Sequence, residues 1–166
     1  MKTACLVSFF IAACTVTAVA QSYDHQTAIN EEVWKPFIKY YNSRDRKGFA
    51  SVHSKDVARV SQDDNRILNA SEYFKEPSEA QKARNADRTL AIELRFIQRI
   101  ANEDKAFEVG YYKTTTTDIK TGVVRTYYGK FHVLLIKEEG KWKILMDADA
   151  NDKTDEAVFL TGKPLE

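Results

Sequence analysis

The chain has 166 residues, with 25 Lys and Arg side chains against 24 Asp and Glu. Lys2 is the one charged residue among the first 20, so the other 146 carry 24 basic and 24 acidic groups. This balance gives no indication of a nucleic-acid-binding or membrane-binding surface, and the length suits one domain with its own core.

The first 20 residues are typical of a secretory signal peptide, with Lys2, an apolar run over residues 4–13 and a small-x-small site at Ala18-Val19-Ala20. We expect cleavage there, leaving a single secreted or periplasmic domain over residues 21–166 with no transmembrane segment. Both cysteines would leave with the leader, which excludes disulfides and cysteine zinc sites. The alternative is a lipoprotein anchored at Cys14, because Ile11-Ala12-Ala13-Cys14 resembles a bacterial lipobox.

An amphipathic helix is predicted from Gln26 to Asn42, because apolar residues recur at helical spacing. Pro36 lies inside this helix and lacks a backbone donor, so a kink or a break is expected there. The apolar stripe consists of Ile29, Val33, Trp34, Phe37, Ile38 and Tyr41.

Short elements follow this helix. Asp45 is predicted to cap a short helix, and residues 57–60 are predicted to form a short strand. Two further sequence patterns are typical of capped helix starts and predict small polar helices. They are Asn69 with Glu72 and Ser78 with Gln81.

The second half of the chain has an apolar period of two, which predicts strands. The alternation covers residues 90–97 and 107–112, and a hairpin connection with a glycine at positive φ is predicted at 118–122. Strands over 123–137 and 142–149 flank a second turn. Sequential hairpins after a helical first half predict an α+β fold, with N-terminal helices packed on an antiparallel sheet.

A four-residue turn at 138–141 sets the predicted register of the last two strands. It puts alternate residues of 131–135 on the same face as alternate residues of 142–146, and a slip by one residue would scramble this agreement. In this register, the carboxylates of Asp147 and Asp149 are explained as cross-strand partners of basic residues rather than as catalysts. The predicted pairs are His132 with Asp147 and Lys130 with Asp149.

The segment Ser54–Val60, after a helix with a tryptophan, resembles the first half of SnoaL-like, nuclear transport factor 2-like domains. This resemblance implies a conical half-barrel, in which a strongly bent sheet wraps around the helices, often with a pocket at the open end. Such domains include ketosteroid isomerase-like and dehydratase-like enzymes, polyketide cyclases and binding modules, so the fold leaves the function open. The later segments that carry the resemblance are Gly110-Tyr111-Tyr112, Tyr128-Gly129-Lys130-Phe131-His132-Val133, Gly140-Lys141-Trp142-Lys143-Ile144 and, similar to small secreted bacterial members, Asp147-Ala148-Asp149-Ala150-Asn151.

No metal-ligand spacing, serine elbow, phosphate loop or dinucleotide motif is present, so we expect neither a metal nor a cofactor. Acid–base chemistry remains, in which a carboxylate or His moves a proton and a Tyr holds an oxyanion. Core packing is the alternative explanation for the tyrosines and for His53. Arg59 can either bind a ligand carboxylate or pair with an internal acid. The candidate pocket residues are Trp34, Tyr41, His53, Arg59, Tyr73, Tyr111, Tyr127, Asp147 and Asp149.

Two classes of function remain open. The first is a secreted or periplasmic domain whose conical pocket binds a small, partly apolar molecule. The second is a cofactor-independent isomerase, dehydratase or cyclase in the same pocket, with His53 or an acid as the base and a Tyr as the donor. The absence of an isolated acid on the apolar face favours binding, and a structural module with a filled core is a third alternative.

A homodimer is expected through the outer face of the sheet, because that face does not alternate cleanly to polar residues. In the competing arrangement, the C-terminal segment 158–160 folds back and covers the same face within one chain. The apolar or aromatic residues predicted on this face are Leu134, Ile136, Leu145, Tyr112 and Tyr128.

Overall fold

The computed structural model describes residues 25–166. The predicted signal peptide over residues 1–20 and the alternative lipid anchor at Cys14 therefore lie outside the described residues. Within the described range, no helix has both the length and the apolar character needed to cross a membrane.

Residues 25–166 form five helices and one sheet of seven strands, which confirms the α+β class. Helix α1 ends at Ser43 and consists of three parts: residues 25–29, a π-helical section Asn30–Trp34, and Lys35–Ser43. The other helices are α2 (Arg46–Ser51), α3 (Ala70–Tyr73), α4 (Glu79–Ala86) and α5 (Glu156–Leu160). The strands are β1 (His53–Ser61), β2 (Arg66–Leu68), β3 (Arg88–Ala101), β4 (Lys105–Asp118), β5 (Val124–Glu138), β6 (Lys141–Ala150) and β7 (Lys163–Pro164).

The strands are ordered β2-β1-β6-β5-β4-β3-β7 in a curved, unclosed sheet. The predicted hairpins β3–β4, β4–β5 and β5–β6 are antiparallel, whereas β1 lies parallel to β6. This parallel contact, which the sequence pattern did not indicate, joins the early part of the chain to its late part.

Helix α1 packs its predicted apolar stripe against one face of the sheet, called the inner face below. Ile29, Val33, Trp34 and Phe37 are buried in this core. The helix is not broken at Pro36. A π-helical turn precedes the proline, in which the Lys35 N–H donates to the Asn30 carbonyl, so the wider turn lies where the proline ring would crowd regular α-helical spacing.

The short helices begin at the predicted caps. Asp45 accepts a hydrogen bond from the Gly48 N–H at 2.9 Å. Asn69 and Glu72, like Ser78 and Gln81, form reciprocal capping boxes. These predictions are confirmed, because capping depends on side chains within three residues of the helix start.

The predicted register of β5 and β6 holds only near the turn that joins them. Trp142 and Ile144 are buried on the inner face with Val133 and Leu135, as predicted. A β-bulge at Leu145 then shifts the pairing by one residue. The observed pairs beyond it are Leu134 with Met146, Val133 with Asp147, His132 with Ala148, Phe131 with Asp149 and Lys130 with Ala150.

The predicted pairs His132–Asp147 and Lys130–Asp149 are therefore wrong. A bulge places two residues of one strand against one of its partner, so the residues after it exchange faces. Asp147 and Asp149 consequently lie on the inner face rather than beside the basic residues of the outer face. Met146, predicted on the inner face, pairs with Leu134 on the outer one.

The C-terminal segment folds back over part of the outer face. Phe159 of α5 is 2% exposed and packs against the Tyr128 ring at 5.7 Å between centroids. The Arg95 guanidinium lies 5.2 Å from the Phe159 ring centroid, and β7 pairs with β3. The C-terminal segment thus covers the outer face around Tyr128 within one chain, as the alternative to a dimer predicted. Leu134 and Ile136 on the same face are half-buried.

Candidate functional site

An open cavity of about 820 Å³ lies between the inner face of the sheet and the helices. Helices α1 to α4 and the loop at Pro77 close its sides, and strands β1 and β3 to β6 form its back. The cone is therefore hollow at this end, contrary to the alternative of a filled core. Its apolar wall consists of Phe37, Phe49, Phe74, Leu90, Ile92, Leu94 and Phe131.

A cluster of charged groups forms the polar part of the cavity wall. The parallel pairing of β1 with β6 places Arg59 beside Asp147. Arg59 Nη2 donates to Asp149 Oδ1 at 2.7 Å, and Nη1 lies 3.8 Å from Asp147 Oδ1. The Tyr73 hydroxyl donates to Asp147 Oδ2 at 2.6 Å. We call Arg59, Tyr73, Asp147 and Asp149 the inner cluster.

Burial sets the protonation of this cluster. It raises the pKa of the Asp149 carboxyl, an effect that Arg59 opposes and Asp147 reinforces. Burial and then Asp147 hold the pKa of the Tyr73 phenol well above its usual range. Tyr73 consequently stays protonated and donates to Asp147, while Asp149 is a stronger base than an exposed Asp.

Two further tyrosines supply hydroxyls that are free to meet a ligand. Tyr41 and Tyr112 line the cavity, and neither hydroxyl makes a hydrogen bond with any residue between 25 and 166. Burial and the Asp149 charge raise the pKa of Tyr41, and they raise that of Tyr112 to about 12. Both phenols are hydrogen-bond donors at neutral pH.

Tyr112 was predicted on the outer face, and that prediction is wrong. It pairs across β4 and β5 with Gly129, where an added Cβ would lie 2.4 Å from the Tyr112 hydroxyl oxygen. A glycine opposite an aromatic residue lets the ring lie close against the neighbouring strand. In the sequence, Gly129 was the signal that could have indicated that the Tyr112 side chain lies on the inner face.

Five of the predicted site residues line the cavity, namely Tyr41, Arg59, Tyr73, Asp147 and Asp149. The other four do not. Trp34 is buried in the core, where its indole N–H donates to Glu108. Tyr111 lies on the outer face, and Tyr127 is exposed. His53, the fourth, lies against the aromatic wall.

His53 is buried among the rings of Phe49, Tyr73 and Phe74. Its Nδ1 donates to the Phe49 carbonyl, 2.8 Å away, which leaves Nε2 as the acceptor atom. Burial lowers the pKa of His53, so the ring is neutral at pH 7. Since it does not line the cavity, His53 is a packing residue here rather than a base in contact with a ligand.

Within residues 25–166, no group of three His, Cys, Asp or Glu side chains is arranged to hold a metal ion.

No family model and no curated protein matches the chain. Solved structures do match. A nuclear transport factor 2-like protein with a cystatin-like fold from Novosphingobium aromaticivorans is 12% identical, with a TM-score of 0.65 over 88% of this chain and 94% of that one. A ketosteroid isomerase-like protein from Erwinia carotovora atroseptica is 16% identical, with a TM-score of 0.57 over 76% and 95%.

The association domain of C. elegans CaMKII also matches, at 12% identity and a TM-score of 0.56 over 79% of this chain and 98% of that one. The chain therefore has the nuclear transport factor 2-like fold, which confirms the resemblance found in the sequence. At these identities, the match establishes the architecture and leaves the function to be argued from the cavity.

Proposed function

We propose that this domain binds a small, partly apolar molecule in its conical cavity. The observation that carries the proposal is an open cavity with an aromatic and aliphatic wall and one localised polar cluster. Ligand sites in proteins have this composition, since apolar surface provides affinity and a few polar groups fix orientation.

The arrangement of the inner cluster favours binding over catalysis. Asp147 accepts from Tyr73 and lies near Arg59, and one oxygen of Asp149 is held by Arg59. These carboxylate oxygens are engaged within the protein, which leaves fewer of them in position to take a proton from a substrate. A second candidate is a cofactor-independent isomerase, dehydratase or cyclase. It is favoured by the raised pKa of Asp149 beside two free tyrosine hydroxyls, a base and donor set suited to enolisation.

Filling the cavity is expected to abolish binding. Leu90 lines the cavity, whereas Ala91, the next residue of β3, is exposed on the opposite face. Leu90→Trp should weaken binding of the neutral fluorophore N-phenyl-1-naphthylamine by about tenfold or more, and Ala91→Trp should leave it unchanged. Fluorescence titration of the three proteins measures this. Equal affinities would contradict the proposed site.

The enzyme alternative has its own test in Asp149→Asn, which keeps the side-chain size and removes the base. If the domain is an isomerase, wild-type protein should convert a β,γ-unsaturated ketone into its conjugated isomer, followed by absorbance. The variant should lose about 10²-fold or more in rate. If wild-type protein binds the fluorophore but does not convert the ketone, the isomerase alternative is rejected and the binding function is retained.

We also propose that the domain is exported, on the basis of the leader pattern in residues 1–20. Mass spectrometry of protein recovered from the periplasm or medium of an expressing bacterium should find Gln21 at the N-terminus. A lipid-modified Cys14 in the membrane fraction would instead make the protein a lipoprotein.

A homodimer through the outer face is a further proposal. Leu134 and Ile136 are half-buried apolar residues of this face, and CaMKII uses the same fold as an association domain. Sedimentation is expected to show twice the chain mass, and Leu134→Asp should reduce it to the monomer. Leu160→Asp, at an exposed position in α5, is the control. A wild-type monomer at micromolar concentration would contradict the proposal.

A further inference from the structure

The open end of the cavity carries more positive than negative charge. The charged lining residues outside the inner cluster are four basic and two acidic side chains, all of them exposed or half-buried. They are Arg44, Arg46, Lys82 and Arg88, and Asp45 and Glu76. The inner cluster has the opposite balance, with two carboxylates against one guanidinium.

Two of the four basic side chains are already engaged. Arg46 donates to the Lys75 carbonyl and lies 3.8 Å from Glu76. Lys82 pairs with Glu79 at 2.9 Å.

Arg44 and Arg88 differ from these two. Neither side chain makes a hydrogen bond or an ion pair with any described residue, although both are half-buried in the cavity wall. Arg88 faces Asp118 in the β3–β4 register, where the two charges interact without a hydrogen bond or a close ion pair. A partly desolvated guanidinium that no hydrogen bond holds presents its fork of N–H donors to whatever enters the cavity.

The apolar wall connects these arginines to the polar interior. From Arg88, the inner face of β3 continues through Leu90 and Ile92 to Leu94, which pairs with Tyr112. Six residues of strand span roughly 20 Å. A ligand lying along this wall therefore has one end at Arg88 and the other near Tyr112. Helix α1 runs antiparallel to β3, since Gln26 bonds Arg99 and Asn42 bonds Ile92, so Arg44 at the end of α1 lies on the Arg88 side of the wall.

We propose that the ligand is an amphipathic organic anion, whose acidic group is bound at the cavity mouth by Arg44 and Arg88. The inference rests on the proposed binding function and names the ligand class. Its apolar body lies on the β3 wall, and its inner end offers a neutral hydroxyl or amine to Asp149 and Tyr112. The reverse orientation would bring an anion against Asp147 and Asp149, which repel it.

Two fluorophores that share one body isolate the contribution of the acidic group. 8-Anilino-1-naphthalenesulfonate is N-phenyl-1-naphthylamine with an added sulfonate. The double variant Arg44→Gln, Arg88→Gln should weaken binding of the sulfonate by about tenfold or more and change binding of the neutral amine by less than about twofold. Arg125→Gln, at an exposed position outside the cavity lining, should change neither affinity.

The outcomes separate the two proposals. Neutral-amine binding that depends on Leu90, with sulfonate affinity equal in wild type and double variant, would overturn the anion inference and leave the binding function standing. Failure of wild-type protein to bind either fluorophore would overturn both. If the double variant still binds the neutral amine, its cavity is intact. A loss of sulfonate binding by that variant then measures the contribution of the two arginines to binding of the acidic group.

Discussion

Replacing Arg99 with Met is expected to lower the free energy of unfolding by about 3–5 kcal/mol at neutral pH. Glu108 is 0% exposed on the inner face. Arg99 Nε donates to its Oε1 at 2.8 Å, Arg99 Nη2 lies 2.8 Å from the same oxygen, and the Trp34 indole donates to Oε2. Removing the guanidinium leaves a buried carboxylate without its counter-charge. Met retains the apolar stem of the side chain but removes the guanidinium from the Phe96 ring, 4.3 Å away, and its hydrogen bond to Asn30 Oδ1. The dependence of the loss on pH therefore identifies the part that is due to the Glu108 charge.

The effect should depend on pH in a defined direction. Burial raises the pKa of Glu108, and Arg99 opposes this. Without Arg99 the folded-state pKa rises further above the unfolded value of about 4.3, so the folded variant holds its proton more tightly than the unfolded chain. Stability of the variant therefore falls as pH rises through that window. Urea unfolding should show a larger loss at pH 8 than at pH 5.

Lys113→Met is the matched control for this pair. Lys113 binds Glu93 at 2.8 Å between β4 and β3, but the two side chains are 26% and 58% exposed. Surface pairs contribute little, so the loss should stay below about 1 kcal/mol. A comparably small loss for Arg99→Met, or one independent of pH, would show that the buried charge does not need its partner.

Trp142→Ala is expected to destabilise the domain by about 3–5 kcal/mol, because it leaves a cavity in the core where β6 meets α1. Trp142 is 1% exposed, and its backbone N–H donates to Glu32 of α1 at 2.7 Å. Lys137 lies over its ring, 5.3 Å from the centroid. Trp34, the other tryptophan of the chain, reports unfolding by its fluorescence in the variant.

Two controls bracket this result. Trp142→Phe retains most of the buried apolar volume and should lose clearly less than Trp142→Ala. Ile67→Ala, at a side chain that is 74% exposed, should change stability by no more than about 0.5 kcal/mol. A loss below about 1 kcal/mol for Trp142→Ala would contradict the central position assigned to this ring.

Features that depend on neighbouring residues could be predicted from the sequence. The caps at Asp45, Asn69 and Ser78 each need a partner three residues away. The hairpin connection at 118–122 needs a glycine at positive φ, and Gly122 has φ +70°. The α+β class followed from the order of these local signals.

The two faces of β4 could not be distinguished in the same way. Phe107, Val109 and Tyr111 read as its apolar set, but Glu108 and Tyr112 point to the core side. Alternation identifies the inner face only where the other face is solvated. The outer face here also carries apolar residues and is partly covered by the C-terminal segment. The polarity of alternate residues therefore assigned the inner and outer faces of β4 wrongly.

The sequence by itself determined the local elements, the order of the hairpins and the inward position of Trp142. Tertiary structure alone decided the site. The bulge at Leu145 turns Asp147 and Asp149 inward, and a register shift near Ile97 aligns Arg99 with Glu108. The apolar alternation Trp142, Ile144 and Met146 continues in the sequence past the bulge, so the pattern gave no sign of the extra residue. The bond from Arg59 to the Asp147 carbonyl joins residues 88 positions apart, and only the folded sheet brings such distant groups together.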